Sequence, residues 1–212
     1  MNLILLGAPG AGKGTQAELL SARLGYPAIS TGNMLREAMR NGTEIGQKVK
    51  CYMDAGLLVP DDVVIDIMRE RVARPDCRDG FILDGVPRTL NQAQRLTGMG
   101  LRVDHVISLE IDDSVIVSRM AGRRVCEHCG ASYHVVANPP KTEGTCDGCG
   151  SRLIIRKDDA ADTVLRRLEV YHQATEALKT YYESLGLLRC VEGNAPIGEA
   201  FRAILKAVGV EV

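Results

Sequence analysis

Aromatic residues are scarce in this chain of 212 residues: it has no tryptophan, two phenylalanines and six tyrosines. A platform for stacking single-stranded bases is therefore not expected. Net charge is also nearly absent, with 26 Lys and Arg against 27 Asp and Glu. No global basic field points to nucleic acid. No apolar run approaches the ~18 residues that a membrane-spanning helix needs. No basic region precedes the apolar opening Asn2–Leu6, so no signal peptide is expected and the expected location is the cytoplasm. Repeats and low-complexity tracts are missing, and the four histidines suggest no Ser-His-Asp arrangement. Cysteine is not scarce. Seven are present, four of them as two C-x-x-C pairs, with Cys51, Cys77 and Cys190 scattered. A secreted protein would be left with an odd thiol, whereas a cytosolic chain with one metal site accounts for the count more simply. The remaining composition, 45% hydrophobic and 25% charged, suits one sizeable core with small insertions.

The stretch Gly7-Ala8-Pro9-Gly10-Ala11-Gly12-Lys13-Gly14-Thr15 organises the rest. A short apolar run, Asn2–Leu6, reads as a buried strand before it, and Gln16–Leu24 reads as a helix after it. Strand, glycine-rich loop and helix together turn a G-x-x-x-x-G-K match into a phosphate site. Glycines let the backbone wrap an anion with successive N–H groups pointing inward. The helix N-terminus adds partial positive charge, and Lys13 adds a full one. Gly14 stands where Ser or Thr is commoner, and the hydroxyl comes one place later at Thr15.

Further strands are expected at Tyr26–Ser30, Phe81–Leu83, Val103–Ile111 and Leu187–Val191. Helices are expected at Met34–Arg40 (capped by Thr31 or Asn33), Thr43–Ala55, after Pro60, after Thr89, from Asp112 or Asp113 towards Arg123, over Thr163–Tyr182, and at the C-terminal end. Residues 30–59 read as a helical excursion, and 125–157, rich in Cys, Gly and short β-branched pieces, as an inserted β-rich subdomain. Five strands alternating with helices argue an α/β fold with a parallel sheet covered on both faces.

Three more groups carry chemistry. Asp84-Gly85-Val86-Pro87-Arg88 follows a strand, where ligands of open α/β sheets bind. Asp84 there can hold Mg²⁺, directly or through water, or simply form a turn before Gly85. Arg88, in a loop stiffened by proline, is placed to meet a phosphate. Arg119 and Arg123, four apart, are expected on one helix face; Arg124, Arg156 and Arg167 add positive charge of the kind phosphoryl transfer needs. Cys126-x-x-Cys129 and Cys146-x-x-Cys149, sixteen residues between pairs, have the spacing of a tetrahedral four-thiolate zinc site. A closed thiolate shell makes the metal structural. Iron in the same site and two disulfides are the alternatives.

These residues resemble the adenylate kinases, in the bacterial long-lid form with a zinc-binding lid. The resemblance spans the chain in order: Gly12-Lys13-Gly14-Thr15, Ser30-Thr31-Gly32, Gly80-Phe81-Ile82-Leu83-Asp84-Gly85, Pro87-Arg88-Thr89, Gly122-Arg123-Arg124 and Arg156-Lys157-Asp158-Asp159. It implies a P-loop nucleoside monophosphate kinase fold, with a core (1–29, 60–125 and 164–212), a helical AMP-binding domain (30–59) and a zinc-containing β-rich lid (126–163). By resemblance, ATP is bound by Gly10, Ala11, Gly12, Lys13, Gly14, Thr15, Arg119, Arg123, Ser132, Tyr133 and Ala195. AMP is bound by Thr31, Arg36, Leu57, Leu58, Val59, Gly85, Val86, Pro87, Arg88, Gln92, Arg156 and Arg167. Lys13, Asp84, Arg88, Arg123, Arg156 and Arg167 are the implied catalytic groups, and Cys126, Cys129, Cys146 and Cys149 the implied zinc ligands.

The reaction implied is Mg·ATP + AMP ⇌ 2 ADP, by a monomer that binds neither nucleic acid nor membrane. The acceptor oxygen is already ionised, so alignment and charge stabilisation do the work. Alternatives are a GTP:AMP or UMP/CMP kinase, a zinc-ribbon nucleic-acid-binding ATPase, and a nucleotide-binding module without turnover. Two positions depart from the family. Asn33 replaces an aspartate, which removes an ion pair, and Val86 replaces a phenylalanine, which is expected to loosen AMP binding.

Overall fold

The computed structural model describes residues 1–211. Strand β1 (Asn2–Leu6) is followed by α1 (Lys13–Leu24), β2 (Ala28–Ser30), α2 (Thr31–Arg40), α3 (Glu44–Asp54) and α4 (Asp61–Val72). Then come β3 (Phe81–Asp84), α5 (Leu90–Gly98), β4 (His105–Glu110) and α6 (Asp113–Gly122). Three short strands form the insertion: β5 (Arg123–Cys126), β6 (Ser132–His134) and β7 (Leu153–Ile154). The chain closes with α7 (Ala161–Val170), a π-helical turn (Tyr171–Thr175), α8 (Ala177–Ser184), β8 (Leu188–Glu192) and α9 (Ile197–Ala207).

The five-stranded sheet runs β2-β3-β1-β4-β8, and every pairing in it is parallel. Alternation along β1 divides the core in two. Ile4 and Leu6 face one side, where α2, α3, α4, α5 and α8 pack through residues such as Leu35, Val49, Ile65, Leu96 and Leu178. Leu3 and Leu5 face the other, against Leu20 of α1 and Ile204 and Leu205 of α9. The period of two sends successive side chains to opposite faces, so a strand covered on both must be apolar throughout. From β1 the chain moves to the β3 side of the sheet and later returns to the β4 side. The carboxyl end of β1 is therefore the switch point at which such sheets bind ligands.

Three local expectations change. Helix α1 begins at Lys13 rather than Gln16, because Gly12, at φ 96°, turns the chain in the left-handed region and starts the helix at once. The cap of α2 is Ser30, whose hydroxyl accepts from the Asn33 amide at 3.4 Å, and not Thr31 or Asn33. Helix α6 stops at Gly122, and Arg123 opens the small antiparallel sheet β6-β5-β7. Arg119 and Arg123 consequently do not share a helix face. Gly122 lies against the His134 ring, so close that a Cβ would come 2.4 Å from Nε2.

Helices α2 and α3 meet backbone to backbone: a Cβ on Gly46 would fall 2.2 Å from the Ala38 carbonyl oxygen. The Thr43 hydroxyl and amide both donate to that oxygen, at 3.2 and 3.1 Å. No helix among the described residues is long and apolar enough to cross a membrane.

Candidate active site

A cleft of about 570 Å³ opens over the carboxyl ends of β1 and β3. Its floor is the glycine loop. Gly10, at φ 86°, lies against α6, where a Cβ would come 2.9 Å from Met120 Sδ. Gly12 to Thr15 turn directly into α1, so the free N–H groups of a helix start face the cleft. Lys13 Nζ donates to the Gly7 and Ala8 carbonyls at 2.6 and 2.8 Å. Burial pushes the Lys13 ammonium down to about 7; Asp84 opposes the shift, and Arg88, Arg167 and Arg123 add to it. Asp84 stands at the end of β3, with Oδ2 3.6 Å from where a Cβ on Gly14 would be. A carboxylate beside the first turn of α1, with Thr15 lining the same cleft, is a donor set that suits Mg²⁺.

Arginines close the cleft from the other side. Arg88 follows β3, Arg119 comes from α6, Arg123 from β5, Arg156 from the segment after β7 and Arg167 from α7; all five line it. The Arg88 Nε donates to the Gly85 carbonyl at 2.9 Å. The Arg119 Nη1 donates to the Gly193 carbonyl at 2.9 Å, beside Ala195. Burial works against the charge of Arg156, as do its neighbours Arg36 and Arg123, while Asp158 and Asp159 support it. The same holds for Arg167, where burial comes first and Asp158 is the leading support.

A smaller hollow of about 70 Å³ adjoins the cleft, lined by Thr31, Arg36, Leu57, Leu58, Val59, Gly85, Arg88, Gln92 and Arg167. Pro87 and Arg156 line the larger cleft. Val86 lines neither. Its side chain is fully buried and belongs to the core cluster with Leu35, Leu83 and Ala93. Thr31 Oγ1 donates to the Gly85 carbonyl at 3.1 Å, which ties α2 to this loop. The Thr89 hydroxyl caps α5 by accepting from the Gln92 amide at 3.1 Å, but the Gln92 side chain does not return to the Thr89 amide. Its Oε1 accepts from the Arg88 amide at 2.7 Å, and its Nε2 donates to Asp61 at 2.7 Å.

In the insertion, Ser132 and Tyr133 line the cleft. The Tyr133 hydroxyl is occupied elsewhere: it accepts from the Asp147 amide at 2.8 Å and lies 3.5 Å from Cys146 Sγ. The four thiols of Cys126, Cys129, Cys146 and Cys149 lie within 4.8 Å of one another. Cys126 and Cys149 are 3.4 Å apart, and Cys129 and Cys146 3.6 Å. A tetrahedron with Zn–S bonds of about 2.3 Å has edges of about 3.8 Å, so the group fits a four-coordinate zinc. None of the seven cysteines is disulfide-bonded in this structure, and the gathering of all four thiols at one point favours a shared metal over two separate disulfides.

Several residues that no motif assigned a role hold this site together. Asp158 pairs with Arg167 at 3.1 Å and with Arg36 at 3.6 Å. Asp159 pairs with Arg123 and, at 3.4 Å, with Arg167. Asn33 Oδ1 accepts from Arg36 at 3.1 Å and from Arg156 at 3.2 Å, so a charge-assisted hydrogen bond to an uncharged acceptor, and not an ion pair, links α2 to the segment after β7. Asp61 holds Thr89, Asn91 and Gln92. Adjacency of Asp158 and Asp159 to Arg156 was the available signal; nothing local marks Asp61.

Comparison with known proteins agrees with this geometry. The family model described as "Adenylate kinase" matches residues 5–187. The chain is 54% identical to an adenylate kinase of Caldicellulosiruptor saccharolyticus, with all of both chains covered. It is 52% identical to one of Citrifermentans bemidjiense over 98% of this chain and 99% of that one. An adenylate kinase of Agathobacter rectalis is 48% identical over 99% of this chain and all of its own. The chain belongs to the adenylate kinase family.

Proposed function

We propose that the cleft transfers the outer phosphoryl group of Mg·ATP to AMP, giving two ADP, with each nucleotide in its own part of the site. The observation that carries this reading is the convergence of Lys13, Arg88, Arg123, Arg156 and Arg167 on one cleft, with the smaller hollow opening beside it. Gly10 to Thr15 hold the phosphates of ATP, and Arg119 with Ala195 and the Ser132–Tyr133 edge frame its adenosine. Thr31, Arg36, Leu57 to Val59, Gly85 to Arg88 and Gln92 seat AMP, Val86 through its main chain. Arg156 and Arg167 stand where both phosphate chains meet.

Mg²⁺ held by Asp84 and Thr15 would neutralise the outer phosphates. The chain's own work is alignment and positive charge. An ionised phosphate needs no base to become a nucleophile, so the arginines fix the two oxygens in line and stabilise the charge on the equatorial oxygens. Water is the rival acceptor, and covering the cleft excludes it. The segments 30–59 and 126–163 act as movable AMP-binding and lid domains on a core of 1–29, 60–125 and 164–212. Structural zinc on the four cysteines stiffens a lid too small for a core of its own. One chain lines both seats, which supports a monomer.

The test is ADP formation from Mg·ATP with AMP, UMP, CMP, GMP or no acceptor in parallel. Turnover with AMP alone is expected. Turnover no faster than the control without acceptor would overturn the reading of the smaller hollow.

A further inference from the structure

Thr175 ends the π-helical turn between α7 and α8 and carries no motif. It occupies the apolar stripe of Val164, Leu168, Tyr171, Leu178 and Tyr182, yet it is a polar residue only 7% exposed. A buried hydroxyl needs a partner. In a regular helix, threonine commonly turns back to the carbonyl four residues earlier. Here that carbonyl, on Tyr171, accepts the Glu176 amide at 3.1 Å as part of the π turn. The Thr175 hydroxyl does not bond there and donates to the main-chain carbonyl of Arg88 at 2.9 Å. The Arg88 amide is held from the opposite side by Gln92 at 2.7 Å. Arg88 is thus clamped at both ends of its own residue, by α5 on one side and the π turn on the other. Widened helical turns of this kind are frequent at functional sites.

We propose that Thr175 is a positioning residue for phosphoryl transfer, fixing the main chain of Arg88 so that its guanidinium meets the transferring phosphate in register. This rests on the reading of Arg88 as a phosphate ligand. A displacement of about 1 Å in such a group costs up to ~10²-fold in rate. Thr175→Val keeps the shape and removes the hydroxyl. Its single-turnover rate of phosphoryl transfer is expected to fall about tenfold, with Thr175→Ser restoring most of the loss.

The deciding experiment is a double-mutant cycle with Arg88→Ala, read both as single-turnover rate and as Tm. If Thr175 acts through Arg88, the rate loss from Thr175→Val disappears in the Arg88→Ala background while its effect on Tm persists. An equal rate loss in both backgrounds, or none in the parent, overturns the positioning role alone. An Arg88→Ala enzyme of undiminished rate overturns the Arg88 reading, and the proposal with it.

Discussion

Arg123 and Asp159 form a two-pronged ion pair between the first residue of β5 and the single turn that precedes α7, with Nε to Oδ2 at 2.8 Å. The Asp159 carboxylate is fully enclosed and also faces Arg167. Together with Asp158 it occupies guanidinium groups to which the proposed function assigns a nucleotide's phosphates. On that reading, phosphates would compete with the protein's own carboxylates.

Asp159→Asn should separate these two effects. Two buried arginines lose a counter-charge, and breaking a buried pair from one side costs about 3 kcal/mol. The Tm is expected to fall accordingly, while ATP binds more tightly by calorimetry because a competitor has been removed. An unchanged Tm would contradict the first half, and weaker ATP binding the second.

Lys13 gives a proton-linked prediction. Its ammonium is held down to about 7 by burial. At pH 8 most molecules of the free protein carry it neutral, and triphosphate charge beside it favours protonation. ATP binding at pH 8 should take up a proton, and uptake should fade below pH 6, where the ammonium is already charged. Calorimetry in buffers of different ionisation enthalpy measures this. Lys13→Met should abolish the uptake and cut turnover severely with folding intact; the same uptake in that variant would assign the proton elsewhere.

Val86 was expected to loosen AMP binding through lost aromatic surface. The enclosed position of its side chain gives a different outcome for Val86→Phe. Added volume in a filled core costs about 1–3 kcal/mol. A lower urea midpoint is expected, without tighter AMP binding. A stable variant with improved AMP affinity would restore the earlier expectation.

Removing the metal from the four cysteines should act on stability first. A chromophoric chelator is expected to release it while Tm drops and turnover at low temperature survives. Turnover that follows metal content at every temperature would argue against a structural role.

The fold was legible because its signals are local and periodic. Leu3 to Leu6 must be buried on both faces, and the glycine loop admits few conformations. The cysteine spacing announced its own cluster. What stayed hidden depends on contacts far apart in sequence. Arg119 and Arg123 fit a helical spacing, but the chain leaves the helix at Gly122 to start a strand. Asp61 lies 31 residues from the Gln92 it holds. Thr175 lies 87 residues from Arg88. The π turn that carries it leaves the apolar stripe unbroken, so periodicity could not reveal it.

The contact of Gly46 with the Ala38 carbonyl bears on how the α2–α3 arm moves. At Gly46 no side chain stands between the two helices to be compressed. The arm is then a stiff lever rather than a spring. On the proposed closing of this arm, a displacement at its tip would be carried to Thr31 and Arg36 at its base, leaving the bending to the residues where the chain enters and leaves the sheet.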